Sequence, residues 1–225
     1  MRTVLRDCGL SVAFFVIFAV ALVGQSLAGL ADLNEELAQH GAPPALYLEY
    51  VTSSEFVVDV AENWQSEFLQ FFLFILATVW LVQRGSPESK KPGDEGPGSD
   101  QEQLVGRYAQ ADSPAWAKAR GVRLWVYSNS LLIMMGAIFL LSWLAQSLAG
   151  QLVANRERAL HGLAPQSWTE HVGSAEFWNR TLQNWQSEFL AVGAMVAFTI
   201  YLRQRASAES KPVGAPHAVS AVESE

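Results

Sequence analysis

The chain has 225 residues, of which 50% are hydrophobic and only 16% are charged, and its net charge is −7. A negative net charge argues against a surface that binds nucleic acid. The single cysteine, Cys8, excludes an intramolecular disulfide and a metal cluster built on cysteines.

Four apolar runs divide the chain, at residues 10–30, 68–82, 124–148 and 189–202. A helix that crosses a membrane needs about 20 residues. The second and fourth runs reach that length only if Trp64 and Trp185 mark their outer ends, as aromatic residues at a membrane boundary do. The expected fold class is therefore an all-α membrane protein with four transmembrane helices.

The chain contains a tandem duplication. Residues 25–90 align with residues 146–211 without a gap, and 31 of these 66 positions are identical, which is far above chance and indicates a repeat. The longest shared block, Asn-Trp-Gln-Ser-Glu-Phe-Leu, lies at 63–69 and 184–190. A second block, Gln-Ser-Leu-Ala-Gly, ends the first apolar run at 25–29 and the third at 146–150. Because this block recurs deep inside the chain, the first run is predicted to be a retained helix and not a cleaved signal peptide.

Each half of the chain predicts one helical hairpin. The first, residues 1–84, is expected to hold helices at about 5–40 and 54–84, and the second, residues 120–206, at about 122–161 and 174–206. The segments 85–119 and 207–225 are rich in Pro, Gly, Ser and charge, and are predicted to be disordered. The two hairpins are expected to be related by pseudo-twofold symmetry, with helices that extend beyond the membrane on the outer side.

The orientation follows from the charges. The N-terminus, the linker and the C-terminal tail hold 12 of the 15 Lys and Arg residues, whereas the two hairpin ends hold 12 of the 22 Asp and Glu residues. The positive-inside rule then predicts a multi-pass protein of the inner (plasma) membrane, with both termini and the linker in the cytoplasm.

The polar residues that both copies share form the candidate site. Spacing by four places Asn63 and Glu67 on one helical stripe, and Gln25 and Ser26 are expected at the same depth on the first helix. With their counterparts they predict a polar layer across four helices, made of Glu67, Glu188, Asn63, Asn184, Gln25, Gln146, Ser26 and Ser147, with Trp64 and Trp185 as interfacial anchors. Hydrogen bonds between membrane helices are worth about 0.6–2 kcal/mol each, so structural glue is the favoured interpretation of this layer.

The principal alternative rests on Glu67 and Glu188. An ionisable residue in a membrane span is a functional candidate, and two carboxylates meeting near the axis would bind a cation or carry protons. Both glutamates precede an apolar run instead of interrupting it, which favours a place at the headgroup level. The leading hypothesis is therefore a non-enzymatic structural or interaction module, and the alternative is a small cation or proton channel or transporter.

No motif for catalysis or for a cofactor is present. His40 and His161 each precede a glycine, where an imidazole favours the end of a helix, and neither belongs to a His-x-x-x-His or Glu-x-x-His pattern. Nucleotide-binding and hydrolase signatures are missing from the sequence. We expect no enzyme activity, cofactor or metal. The expected partners are the lipid bilayer and either a second copy or another membrane protein.

With these blocks the chain resembles a family of bacterial membrane proteins, common in actinobacteria, that are described only as a domain of unknown function. The resemblance rests on Asn-Trp-Gln-Ser-Glu-Phe-Leu-Gln, on Gly-Gln-Ser-Leu-Ala-Gly and on Gln-Arg-Gly-Ser-Pro-Glu-Ser-Lys, and covers about residues 1–90 and 120–211. The second copy departs from the signature at Ala191, where the first has Gln70, which makes Gln70 a weak candidate for a shared role. The resemblance implies an architecture and a bacterial source, but no activity.

Overall fold

The computed structural model describes residues 2–220. Among these residues all regular structure is helical and there is no strand, which confirms the all-α class. The helices are α1 (Arg2–Gln39), α2 (Tyr47–Val51), α3 (Ser54–Trp80), α4 (Val122–Ser128), α5 (Ser130–Leu160), α6 (Trp168–Val172) and α7 (Ala175–Tyr201), with a 3-10 turn at Gly106–Tyr108.

The long helix that leads to each tip, α1 in the first copy and α5 in the second, ends before the glycine expected from the sequence. Gly41 and Gly162 both have a φ of +67°, the left-handed conformation that closes a helix most cheaply in glycine. His40 Nδ1 lies 2.9 Å from the Glu36 carbonyl oxygen, and His161 makes the same contact in the second copy. Each imidazole therefore lies against a carbonyl of the last helical turn, which also accepts from the backbone N–H of the same histidine at 3.3 Å.

Several helix boundaries differ from the expected ones. The sequence predicted an unbroken helix from about residue 122, whereas the structure interrupts it at Asn129, whose φ is −114°. The Asn129 side-chain amide donates to the Trp125 carbonyl at 2.8 Å, and such local bonds compete with the helical backbone. α3 and α7 stop at Trp80 and Tyr201, a few residues before their expected ends near 84 and 206.

The linker and the tail consist of turns. Apart from the 3-10 turn, residues 85–119 hold no helix, and residues 207–220 have turns alone. Disorder of these two segments in solution stays a prediction, and the end of the predicted tail, residues 221–225, lies outside the described residues.

The chain divides into two units. Unit 1 is Met1–Ala61 with Ala145–Val172, and it holds α1, α2, α6, the first turns of α3 and the last turns of α5. Unit 2 is Glu62–Leu144 with Gly173–Glu225, and it holds the remaining parts of α3 and α5 together with α4 and α7. Each unit therefore contains chain from both copies of the repeat.

Two helices are long and apolar enough to cross a membrane, Arg6–Gln39 within α1 and Ser130–Leu160, which is α5. Their most apolar windows are only 6% and 17% buried. A core helix of a soluble protein would be mostly covered by its own chain, whereas a helix surrounded by lipid keeps its apolar side chains outward. The exposure of these two apolar helices supports association with a membrane.

α3 contacts α5 within each unit. In unit 1 a Cβ on Gly150 would lie 3.5 Å from the Val58 side chain, and in unit 2 a Cβ on Gly136 would lie 3.0 Å from the Phe72 ring. Small residues at these contacts let the helix backbones approach closely.

Candidate functional site

An asparagine closes each hairpin tip. In the first copy Asn34 Oδ1 accepts from the Ala45 backbone N–H at 2.7 Å, and Asn34 Nδ2 donates to the Ala45 carbonyl at 3.3 Å. In the second copy Asn155 makes both bonds to Gln166, at 2.8 and 3.0 Å. The side chain occupies both backbone groups of one residue, as a neighbouring strand would. The segment that returns from the tip is thereby fastened to the helix that led to it.

The short helix that follows each tip packs against the Gln-Ser-Leu-Ala-Gly block. Ser26 Oγ lies 2.9 Å from the Tyr47 hydroxyl, which belongs to α2. At the equivalent place Trp168 Nε1, in α6, donates to Ser147 Oγ at 3.0 Å. Both serines are buried. The predicted bonds of these serines to Asn63, Glu67 and their counterparts stay predictions.

The glycine of the same block makes room for the second contact. A Cβ on Gly29 would lie 2.0 Å from the hydroxyl oxygen of Tyr50, and a Cβ on Gly150 would lie 2.9 Å from His171 Nε2. Tyr50 and His171 occupy equivalent positions of the repeat and are both buried. Burial, and then the negative charges of Asp59, Asp32 and Glu55, raise the pKa of Tyr50 above its ordinary value of 10.0.

Glutamates that both copies share stabilise the start of the short helices. Glu49 Oε2 accepts from the Leu46 backbone N–H at 2.8 Å, and Glu170 Oε2 accepts from the Ser167 backbone N–H at 2.6 Å. This reach of the third helical residue back to the N-cap is half of a capping box. The Ser167 backbone bond, the larger effect, and the Ser167 hydroxyl bond lower the pKa of Glu170.

The two copies of Asn-Trp-Gln-Ser-Glu-Phe-Leu have different surroundings. Gln65 and Ser66 are 0% and 2% exposed, whereas their counterparts Gln186 and Ser187 are exposed. Trp185 Nε1 donates to Gln65 Oε1 at 2.8 Å, and Gln65 Nε2 donates to the Glu62 carbonyl at 3.1 Å. Trp185, predicted to be an interfacial anchor, is thus also the donor that satisfies a buried amide.

Sequence reasoning did not single out Gln65, although a signal for it was present. Glutamine is the third residue of the shared block and lies beside tryptophan in both copies, and an indole N–H buried among helices requires an acceptor. The block does not indicate which of the two glutamines accepts the indole hydrogen bond, because its sequence is identical in the two copies.

The remaining predicted residues have mixed positions. Glu67, Asn63, Gln25 and Trp64 are exposed. Asn184 and Glu188 are half-buried, and Gln146 is 2% exposed. In unit 2 Glu188 lies within electrostatic range of Glu67, so the two glutamates are near each other, and Asn184 Nδ2 donates to the Arg180 carbonyl at 3.3 Å. Among the described residues no group of three or more His, Cys, Asp or Glu could hold a metal ion.

Two ion pairs join α3, from the first copy, to helices of the second copy. Within unit 1 the Arg156 guanidinium bonds Glu55, and within unit 2 Arg180 Nη2 lies 3.0 Å from Glu62 Oε2. The positions equivalent to Arg156 and Arg180 in the first copy are acidic, Glu35 and Asp59. From the sequence Arg180 is also predicted to pair with Asp59 across the pseudo-twofold, and that pair stays a prediction; the contact with Glu62 was not expected.

Both copies end in the same hydrogen-bonded turn, residues 83–90 and 204–211. In each turn a serine hydroxyl accepts from the backbone N–H of the first residue, at 2.7 Å for Ser89 and 2.9 Å for Ser210. The lysines that end the turns, Lys90 and Lys211, donate to carbonyls of the segments that follow. Lys211 is only 1% exposed. Its Nζ donates to three carbonyl oxygens, those of Pro216, His217 and Val219, at 3.2, 3.0 and 2.9 Å.

The glutamates of these two turns form a pair. Burial, and then the hydrogen bond with Glu209 and the negative charge of that residue, raise the pKa of Glu88 from its ordinary value of 4.5 to about 7. A carboxyl that shares a proton with a neighbouring carboxylate has this behaviour. A cavity of about 350 Å³ lies beside Glu88, lined chiefly by Phe74, Ala77, Thr78, Val192 and Val196. Neither Glu67 nor Glu188 lines this cavity.

The fold and these contacts define an all-helical protein with two helices apolar enough for a membrane and with polar contacts that recur in two copies. A family model described as a domain of unknown function (DUF6766) matches residues 1–222. The chain belongs to this family, because the match covers nearly all of it, and the predicted membership of an uncharacterised family is confirmed. Comparison with curated proteins and with solved structures gave no match.

Proposed function

We propose that the protein is a non-enzymatic membrane scaffold. In this proposal α1, α3, α5 and α7 cross the inner membrane of a bacterium as two hairpins. Both termini and the linker lie in the cytoplasm, and the paired tips stand outside. The bilayer is one partner, and the tips or the cytoplasmic segments bind another copy or another membrane protein.

The contact of α3 with α5 within unit 2 supports four crossings instead of two. Gly136, which faces Phe72, lies in the middle of the apolar run of α5. If α5 crosses the membrane, the part of α3 at that level lies in the same layer. α3 and α7 each have 27 residues, which is about 40 Å of helix and exceeds the roughly 30 Å of the hydrocarbon core. Pseudo-twofold symmetry about an axis along the membrane normal follows from two hairpins that both begin and end inside.

The scaffold proposal rests on the contacts that the shared polar residues make. Residues that are identical in both copies, such as Asn34 and Ser26, are engaged in contacts that close a hairpin or hold its short helix. The same holds for Glu49, which caps that helix. Since a duplication retains what each half needs, contacts of this kind explain these shared residues by architecture, without a reaction.

Labelling of single cysteines in intact cells tests the four crossings. In a Cys8→Ser background, Ala42→Cys and Leu163→Cys should react with a membrane-impermeant maleimide from outside, and Ser99→Cys should react only after permeabilisation. In the wild-type chain Cys8 should also be protected. If only α1 and α5 cross, the pattern changes, because Ser99→Cys becomes reactive outside and Leu163→Cys becomes protected.

A cation or proton conduit is the second candidate, favoured by the proximity of the half-buried Glu188 to Glu67. Flux into vesicles that contain the purified full-length chain decides between the two functions. The scaffold predicts proton and cation flux equal to that of protein-free vesicles. The scaffold fails if the wild type conducts, if Glu67→Gln/Glu188→Gln abolishes the flux and if the control Glu49→Gln/Glu170→Gln retains it.

A further inference from the structure

The short helix α2 is fastened to the end of an apolar run and not to the polar stretch beyond it. Tyr47 bonds Ser26, and the Tyr50 ring lies against Gly29. Both contacts fall in the last turns of the run 10–30, so α2 lies within about 6 Å of its end along the helix axis. The chain therefore passes the tip, at His40, and returns to the level at which the apolar surface of α1 stops.

At this level the chain presents an uncovered apolar surface. Leu46 and Leu48 are 68% and 74% exposed, and Val23 and Leu27 on the neighbouring turns of α1 are 54% and 55% exposed. The charged neighbour, Glu49, is held at the start of the helix by its bond to the Leu46 backbone N–H. Large leucines exposed beside a membrane-crossing helix are a surface that water does not favour.

The second copy differs at the same two positions. Where the first copy has Leu46 and Leu48, the second has Ser167 and Thr169, and both are exposed. The central aromatic residue is kept, as Trp168, and so is its bond to the serine of the first helix. The apolar surface therefore belongs to α2 alone and is not a requirement of the hairpin fold.

We propose that α2 is an interfacial anchor, whose Leu46 and Leu48 side chains insert into the outer leaflet of the bilayer. Because Tyr47 bonds Ser26, Leu46 and Leu48 are exposed at the same level of α1 as Val23 and Leu27, and the leaflet that covers α1 at this level reaches these leucines. Short interfacial segments of this kind bury their apolar side chains roughly 5–10 Å into the boundary between headgroups and acyl chains. The first tip is thus held against the membrane, whereas the tip with Ser167 and Thr169 stays in water.

The inference rests on the proposed membrane location, and the experiment separates the two. Full-length chains with one nitroxide-labelled cysteine, in a Cys8→Ser background, are placed in vesicles of phosphatidylethanolamine and phosphatidylglycerol. Power saturation then compares access of dissolved O₂, which enters lipid, with access of nickel-EDDA, which stays in water. The labelled positions are Leu48→Cys, its counterpart Thr169→Cys, and Phe15→Cys in the apolar run of α1.

We expect O₂ to be favoured at Phe15→Cys and at Leu48→Cys, and nickel-EDDA to be favoured several-fold at Thr169→Cys. Preference for nickel-EDDA at Leu48→Cys, with O₂ still favoured at Phe15→Cys, overturns the anchor alone. Preference for nickel-EDDA at Phe15→Cys overturns the membrane location itself. Exclusion of both reagents at Leu48→Cys together with dipolar broadening between labels means that a second copy covers the leucines, and this also overturns the anchor.

A measurement without labels guards against disturbance by the nitroxide. Hydroxyl-radical footprinting of the wild-type chain in the same vesicles should oxidise Leu46 and Leu48 several-fold less than Leu163, an exposed leucine on the loop of the second tip. Equal oxidation of the three leucines contradicts the anchor.

Discussion

The two copies of Asn-Trp-Gln-Ser-Glu-Phe-Leu are identical in sequence and opposite in burial. In α3 the glutamine and serine, Gln65 and Ser66, are buried, whereas in α7 Gln186 and Ser187 are exposed. The Trp185 indole of the second copy donates to the buried Gln65 amide of the first. The same heptapeptide thus has different burial and different hydrogen bonds in each copy, and the difference arises from the helices that surround it.

Substitution of the two glutamines should separate the copies most strongly. Gln65→Ala leaves the Trp185 indole N–H without its acceptor and opens a space in a buried position, so we expect a loss of about 3 kcal/mol in the free energy of unfolding. Gln186→Ala, at an exposed position, should change it by less than about 0.5 kcal/mol. Unfolding in mixed detergent and SDS measures both. Equal losses would show that the copies are equivalent in solution.

The glycines of the Gln-Ser-Leu-Ala-Gly block should show a smaller difference between the copies. Gly29→Ala would place its methyl carbon 2.0 Å from the Tyr50 hydroxyl, and overpacking of this kind costs about 2 kcal/mol. Gly150→Ala meets His171 Nε2 at 2.9 Å and should cost less. Gly24→Ala is the matched control, because no atom lies within 4 Å of its added Cβ. The thermal unfolding midpoint should be lowest for Gly29→Ala, intermediate for Gly150→Ala and highest for Gly24→Ala. Any other order contradicts the packing described for α2 and α6.

Charge reversal between the copies offers a further test. Arg180→Asp gives the second copy the residue type that the first has at Asp59, and it sets a carboxylate against Glu62. The side chains of Arg180 and Glu62 are 44% and 16% exposed, so solvent screens the pair and we expect a loss of about 0.5–1 kcal/mol. Glu62→Gln, which imitates Gln183 of the second copy, should recover most of this loss in the double variant. Failure of that rescue would mean that the two side chains act independently.

The smallest expected effect is a local dependence on pH at the paired turns. Because the pKa of Glu88 is raised to about 7, the folded protein holds this proton more tightly than the unfolded chain does. The contribution of the Glu88–Glu209 contact is therefore complete below the ordinary value of 4.5 and is lost as pH rises through about 7. Limited proteolysis of the tail should become faster over that range in the wild type.

Two variants sharpen the pH experiment. Glu88→Gln removes the titrating proton, and its cleavage rate relative to the wild type at each pH corrects for the protease itself. Glu95→Gln, in the same linker, should behave as the wild type, because hydrogen bonds from the backbone lower the pKa of Glu95. A wild-type profile that parallels the Glu88→Gln profile from pH 4.5 to 8 would exclude the shared proton.

The sequence predicted the features that depend on local chemistry. The positions of Gly41 and Gly162 indicated where α1 and α5 end, since only a residue that tolerates positive φ closes a helix in this way. The offset between the copies indicated which residues would make equivalent contacts, and Asn34 with Asn155 are an example that the structure provides. The break at Asn129 was missed, because a single asparagine inside an apolar run has little effect on periodicity.

What the sequence by itself determined is the helical class, the identical blocks that recur in its two halves, two of the four predicted apolar helices and, through a resemblance, the membership of an uncharacterised family. The helical class and the apolar helices follow from composition and periodicity, whereas the membership follows from the motifs that carry the resemblance. All of these are properties of consecutive residues. Only the tertiary structure decided that Gln65 is buried and Gln186 is not, and that Arg156 and Arg180 pair with glutamates of the other copy. Burial and pairing depend on which helix faces which, and two identical heptapeptides carry no information about their neighbours.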